Sequence, residues 1–206
     1  MHGNIVEKVK GFLLKPAETF RATASESLNS AFQYYVILLI IYSILLAIVI
    51  SVSLGVTYYS FTVTGLLGSN GAAIMNAFTP FLVSYVLFVP YLVFMVMLFG
   101  IFLSGFWYHV FVILFGGRKG LTQTVKTVMY AWTPFFLIGW IPFISIIGII
   151  WSWILIIIGI RENQEMTYGM AALVLIVPLI LSLIFFIGLF AVIISFISAI
   201  AGILPG

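Results

Sequence analysis

The run from Val36 to Thr57, 22 residues without a charge, constrains this chain more than any other feature. A helix of about 20 apolar residues crosses the hydrocarbon core of a bilayer. Tyr34 and Tyr35 stand at one border of the run and Tyr58 and Tyr59 at the other, at the depth where aromatic belts form. Both borders are therefore marked independently of hydropathy. A soluble domain hydrates its surface with about 25% charged residues, whereas this chain has 6% charged and 64% hydrophobic residues. Lipid must be the solvent for much of its surface. The fold class is an all-α membrane protein.

The chain divides at about residue 30. Residues 1–30 read as a cytoplasmic, interfacial segment, and residues 31–206 as a transmembrane helical domain. In the first part, Ile5, Val6, Val9, Phe12 and Leu13 share one helical face opposite Glu7, Lys8 and Lys10, the pattern of a short helix lying in the headgroup plane. Pro16 suits the first turn of a second helix, roughly 16–28. That helix carries a weak stripe of Phe20, Ala24 and Leu28 beside Glu18, Arg21 and Glu26. No short apolar core precedes a small-residue cleavage site, so the first span is read as a retained insertion signal.

Beyond the first span, residues 60–79 read as an uncharged loop with Gly65, Gly68 and Gly71 as breakers. Residues 81–115 contain only His109 as an ionisable group. At about 1.5 Å per residue the run is on the order of 50 Å. One tilted helix with a bend at Pro90 is preferred over two spans joined near Gly100–Gly105, because Ser104 is the only polar turn residue there. Gly116-Gly117-Arg118-Lys119-Gly120 is a turn. The stretch after it is split by Gly139-Trp140-Ile141-Pro142 into a helical hairpin with arms 122–139 and 143–160. Pro134 should bend the first arm. Arms of about 18 residues lie at the low end of spanning length, so a re-entrant pair is the alternative. Arg161-Glu162-Asn163-Gln164-Glu165 then precedes a last apolar run, 168–204. The expectation is five transmembrane helices, with a sixth compatible with the last run.

Sidedness follows from the cations. With five spans, Lys8, Lys10, Lys15, Arg21, Arg118, Lys119 and Arg161 fall on one side, and Lys126 lies just inside the third span. Segments rich in Lys and Arg stay cytoplasmic, which puts the amino terminus inside. The eight Lys and Arg are scattered over short segments and make no stripe that could track phosphates, so nucleic acid is not an expected partner.

Catalytic constellations are not found. There is no cysteine, and His2 and His109 do not stand in H-E-x-x-H spacing. Gly116–Gly120 lacks the spacing of a phosphate loop. No enzyme activity, metal or cofactor is expected. His109 lies near the cytoplasmic interface, where an imidazole reaches water or a headgroup; a proton or ion role is the alternative. Gly100 and Ser104 make a small-xxx-small pair that would admit another helix.

The ordered landmarks resemble the Yip-type family, the Ypt/Rab-interacting type of five-span membrane protein. The resemblance rests on Lys15-Pro16-Ala17-Glu18-Thr19-Phe20, Gly116-Gly117-Arg118-Lys119-Gly120, Tyr130-Ala131-Trp132-Thr133-Pro134, Pro142, Trp151 and Gly159-Ile160-Arg161-Glu162. It implies a Yip-type domain and, for eukaryotic relatives, vesicle traffic through Rab-type GTPases. Those relatives carry an Asp-Leu-Tyr-Gly-Pro motif, and this chain has no Asp. The compact form resembles prokaryotic members, which implies a prokaryotic cell membrane rather than Golgi or endoplasmic reticulum. The expected function is a non-enzymatic membrane scaffold. Its partners are the bilayer, anionic lipid headgroups, and membrane or cytosolic proteins met at the cytoplasmic face. Lys15, Pro16, Phe20, Arg118, Lys119, Arg161 and Glu162 are the candidate contact residues. The alternative is a channel or transporter for ions or small solutes, with a polar cavity lined from the Pro90, Pro134 and Pro178 regions.

Overall fold

The computed structural model describes residues 4–63 and 70–203. Every regular element among them is a helix: α1 (Ile5–Leu14), α2 (Pro16–Thr23), α3 (Leu28–Val63), α4 (Gly71–Leu114), α5 (Leu121–Ala131), α6 (Thr133–Ile138), α7 (Ser145–Gln164) and α8 (Tyr168–Ile203). Four of them, α3, α4, α7 and α8, are long and apolar enough to cross a membrane.

The expected run 81–115 is one continuous helix that begins ten residues earlier, at Gly71. The loop expected over 60–79 is shorter than that reading, because α3 continues to Val63. Gly65 and Gly68 lie outside the described residues, and Gly71 opens α4 instead of breaking the chain. Ser and Thr do not interrupt these helices, because their hydroxyls bond back to carbonyls one turn earlier, as Thr57 does to Ser53 at 2.8 Å and Ser84 to Pro80 at 2.8 Å. Tyr58 also donates to Asn76 Oδ1 at 2.7 Å, tying the far end of α3 to the start of α4. The last apolar run is likewise one helix, α8, not two.

The expected third span, 122–139, is divided. Proline removes a backbone donor and clashes with the carbonyl four residues back, and Pro134 does so at Tyr130. The helix stops at Ala131 and restarts as α6 with Pro134 in its first turn. The Tyr130 carbonyl is re-satisfied by the Thr133 hydroxyl at 2.6 Å, which also bonds the Tyr34 hydroxyl at 2.9 Å. Pro142 lies in the turn between α6 and α7; α7 itself starts at Ser145.

The core lies around α5. All residues from Thr124 to Ala131 are buried, enclosed by α3, α4 and α7. Gly105 is where α4 comes close: a Cβ there would stand 2.8 Å from Val125, whereas one at Gly100 would meet open space. The helix contact anticipated around Gly100 and Ser104 is thus made one residue beyond Ser104, toward α5.

The N-terminal helices pack on this core instead of resting on lipid alone. Lys15 leaves α1 in a non-helical conformation, φ −137° and ψ 57°, and Pro16 starts α2 at once. That folds Phe12 and Phe20 against each other, with ring centroids 4.9 Å apart. Phe12 also stacks on Tyr130 at 4.9 Å. Both phenylalanines are fully buried, worth about 1.5–3 kcal/mol each in apolar transfer. The expected interfacial stripe of Phe20, Ala24 and Leu28 therefore faces protein, and α2 ends at Thr23, short of the expected 28. Val6 and Leu14 remain exposed, an apolar edge that suits the interfacial reading of α1.

Candidate functional site

One end of the bundle collects the first residues of α3, α5 and α8, the last of α4 and α7, and the α1–α2 pair. Ion pairs and hydrogen bonds knit these segments together there. Lys126 is the most buried of the cations, at 2% exposure. Its ammonium donates to the carbonyl oxygens of Ala24 and Glu26, both at 2.7 Å. Ala24 is the C-terminal cap of α2, so a cation sits on the negative end of that helix. Gln123 Nε2 donates to the same Ala24 oxygen at 3.1 Å.

Glu26 is the anion of this layer. Lys8 Nζ and the Tyr130 hydroxyl both donate to its Oε2, at 2.7 and 2.6 Å. Burial by itself pushes the Glu26 carboxyl up. The hydrogen bonds from Lys8 and Tyr130, with the charges of Lys8 and Lys126, outweigh it and hold the carboxyl below its ordinary value.

A second cluster joins α2 to α7. Arg21 Nε donates to Glu162 Oε2 at 2.6 Å, and its Nη2 to Oε1 at 3.3 Å. Arg161 Nη1 also donates to Glu162 Oε1, while its guanidinium stacks 4.2 Å over the Tyr168 ring at the start of α8. The α2–α7 contact is close because Gly159 leaves room: a Cβ there would lie 2.6 Å from the Phe20 ring and 2.6 Å from Thr127.

A third cluster closes the 115–120 turn. Gln164 accepts from the Lys119 backbone N–H at 2.9 Å, and its Nε2 donates to Thr124 Oγ1 at 3.0 Å and Gly120 O at 3.1 Å. His109 Nδ1 shares a hydrogen bond with Thr124 Oγ1 at 2.9 Å. Asn163 Nδ2 donates to Thr127 Oγ1 at 2.7 Å. His109 therefore has a protein partner at this interface. Among the described residues, no group of three or more His, Cys, Asp or Glu stands close enough to hold a metal.

The seven candidate contact residues share this end but not one role. Lys15 is open, its side chain 71% exposed and 3.9 Å from Glu18. Arg118 is exposed and forms no ion pair among the described residues. Lys119 is half-exposed, 2.7 Å from Glu165. Pro16 is partly buried as the first residue of α2, and Phe20 is inside. Arg161 and Glu162 are engaged with Arg21 and Tyr168. Sequence reasoning missed Lys8, Arg21, Glu26, Thr124, Lys126, Thr127, Tyr130, Asn163 and Gln164. Polar residues at Thr124, Thr127 and Tyr130, three apart within an otherwise apolar arm, were the available signal.

The family model described as the Yip1 domain matches residues 10–190. The chain belongs to the Yip1 family. The Yip1 match runs from the second half of α1 into α8 and so takes in Phe12, Phe20 and the clusters of the charged end apart from Lys8. Comparisons with curated proteins and with solved structures found no match.

Proposed function

We propose that this Yip1-family protein is a non-enzymatic membrane scaffold, with its charged end cytoplasmic, that recruits anionic lipid headgroups there. The observation that carries the reading is a division of labour among the cations. Lys8, Arg21, Lys126 and Arg161 are spent on internal carboxylates and carbonyls, while Lys10, Lys15 and Arg118 point outward. Exposed Leu14 beside Lys15 provides an apolar foot at headgroup depth. Each such cation adds about 1 kcal/mol of attraction to an anionic surface. In this reading Lys15, Arg118 and Lys119 touch the headgroup, whereas Pro16, Phe20, Arg161 and Glu162 hold the surface in shape. A prokaryotic cell membrane is the proposed location, on the resemblance to compact members.

The positive-inside tendency supports an inside amino terminus. A hairpin contributes an even number of crossings, so five spans and three spans with a re-entrant hairpin give the same sidedness. The channel reading finds less support: Pro90 lines a cleft of about 250 Å³ with Ile40, Ile44 and Phe94, and Pro134 a separate one with Leu137 and Trp151.

The test replaces Lys10, Lys15 and Arg118 with Gln and counts phosphatidylglycerol retained by the purified protein in native mass spectrometry. Fewer bound lipids are expected, with unchanged melting temperature. Unchanged retention would refute the lipid reading and leave a protein partner as the occupant of that surface. An impermeant thiol reagent that modified Arg118→Cys from outside intact cells would refute the sidedness.

A further inference from the structure

Two helices position the bilayer. The uncharged run Val36–Thr57 of α3 is about 33 Å long at about 1.5 Å per residue, close to the hydrocarbon thickness of about 30 Å. It starts about 12 Å from Leu28, at the charged end. α8 starts at the same end, with Tyr168 beneath Arg161. Tyr168, Met170, Leu173 and Ile176 are exposed along its first turns, and from Leu183 to Ile197 α8 exposes apolar side chains with few interruptions, its outer half packing against little else. Lipid is the solvent such a surface requires.

The hairpin of α5, α6 and α7 does not reach as far. Tyr42 of α3 packs its ring on Phe135 at 5.2 Å and Phe136 at 5.7 Å. Gly148 of α7 lies at that level too, since a Cβ there would stand 3.1 Å from Phe135 Cα. Tyr42 is about 9 Å into the apolar run, and Ser145, where α7 begins, is about 5 Å beyond Gly148. The turn at 139–144 thus stands roughly 15 Å along that run, whereas α3 continues for about 30 Å past Tyr42 to Val63. No charge occurs from residue 127 to residue 160. At the tip, Phe143 has φ 66° and is 90% exposed, with Ile144, Ile146 and Ile147 also exposed. α7 has the length of a span but not the depth, because its last turn belongs to the charged layer.

We infer that α5–α6–α7 is a re-entrant hairpin ending within the bilayer, so that the molecule is a wedge fitted to a membrane surface convex toward its charged end. The leaflet beside that end holds α3, α4 and α8 together with the hairpin, while the other holds α3, α4 and α8 alone. Each helix is about 10–12 Å across, so the difference in area between the two leaflets is large. The inference rests on helix lengths and contacts, independently of what binds the exposed cations.

Because the chain has no cysteine, a single introduced one reports depth cleanly. Phe143→Cys and Tyr59→Cys carry a nitroxide label in the full chain, reconstituted in phosphatidylcholine–phosphatidylglycerol vesicles. Accessibility to oxygen is compared with accessibility to a water-soluble nickel chelate. The oxygen-to-nickel ratio at position 143 should exceed that at 59 several-fold; equal ratios would overturn the re-entrant hairpin. Ile147→Cys repeats the measurement at a helical position, with the same expectation. In sonicated vesicles, a larger share of Arg118→Cys molecules should react from outside than in large extruded vesicles of equal composition. Equal shares would overturn the wedge.

Discussion

The ammonium of Lys126 donates to the carbonyl oxygen of Ala24 at 2.7 Å, joining α5 to the end of α2 across about a hundred residues of sequence. The N-terminal helices are thereby part of the bundle, and the bond makes Lys126 a structural cation. Its neighbours Glu26, Lys8 and Tyr130 belong to the same layer, so their energies are not additive.

Replacing Lys126 with Met keeps the stem and removes the charge. The Glu26 carbonyl loses its donor, the Ala24 carbonyl keeps only Gln123, and Glu26 loses a nearby cation, a cost of about 1–3 kcal/mol. The purified variant should melt earlier in detergent, and limited proteolysis should cut first between α1 and α3. A Lys126→Met protein that resists protease as the parent does would show that the latch contributes nothing.

Docking of α1 and α2 should depend on pH through Glu26. Its folded carboxyl lies below the ordinary 4.5. A depressed carboxylate adds stability that is complete above the unfolded value and lost as pH falls through the folded one. Protease resistance of the N-terminal pair should therefore hold at neutral pH and decline below about pH 4. Glu26→Gln should flatten that dependence. An equally steep loss in the Gln variant would assign the titration to another group.

Gly159 should tolerate no larger side chain while Phe20 is in place. A Cβ there lies 2.6 Å from both the Phe20 ring and Thr127, and overpacking of this kind costs about 1–3 kcal/mol. Gly159→Val should lower the melting temperature. Phe20→Leu in the same chain should recover part of the loss, because a smaller group then faces the new methyls. Additive losses in the double variant would place the strain elsewhere.

Much of the bundle was legible from residue order. Val36–Thr57 lies within α3, residues 81–115 within one helix up to Leu114, and the turn at Gly116–Gly120 where two glycines and a third bracket the cations. Helix ends were less legible. The far part of α3 and the first part of α4 carry Ser, Thr and Asn without charge; the Ser and Thr hydroxyls bond back within their own helix, and Asn76 is held by Tyr58. The division at Trp132 was visible in Pro134, although a bend was expected and a full break occurs. Phe20 shows the limit of local pattern: a weak stripe beside charges reads as solvated, yet Gly159, far away in the chain, opens the space that buries it.

By itself, the sequence determined that the chain is helical, that lipid surrounds it, and that its basic residues gather at one end, because uncharged apolar runs and flanking cations act locally. Only the tertiary structure decided which cations are consumed inside and which face outward, and how far the hairpin runs along α3. Those depend on contacts between residues a hundred positions apart, Lys126 with Ala24 and Arg21 with Glu162, and on the level at which Tyr42 meets Phe135. No spacing along the chain encodes such contacts.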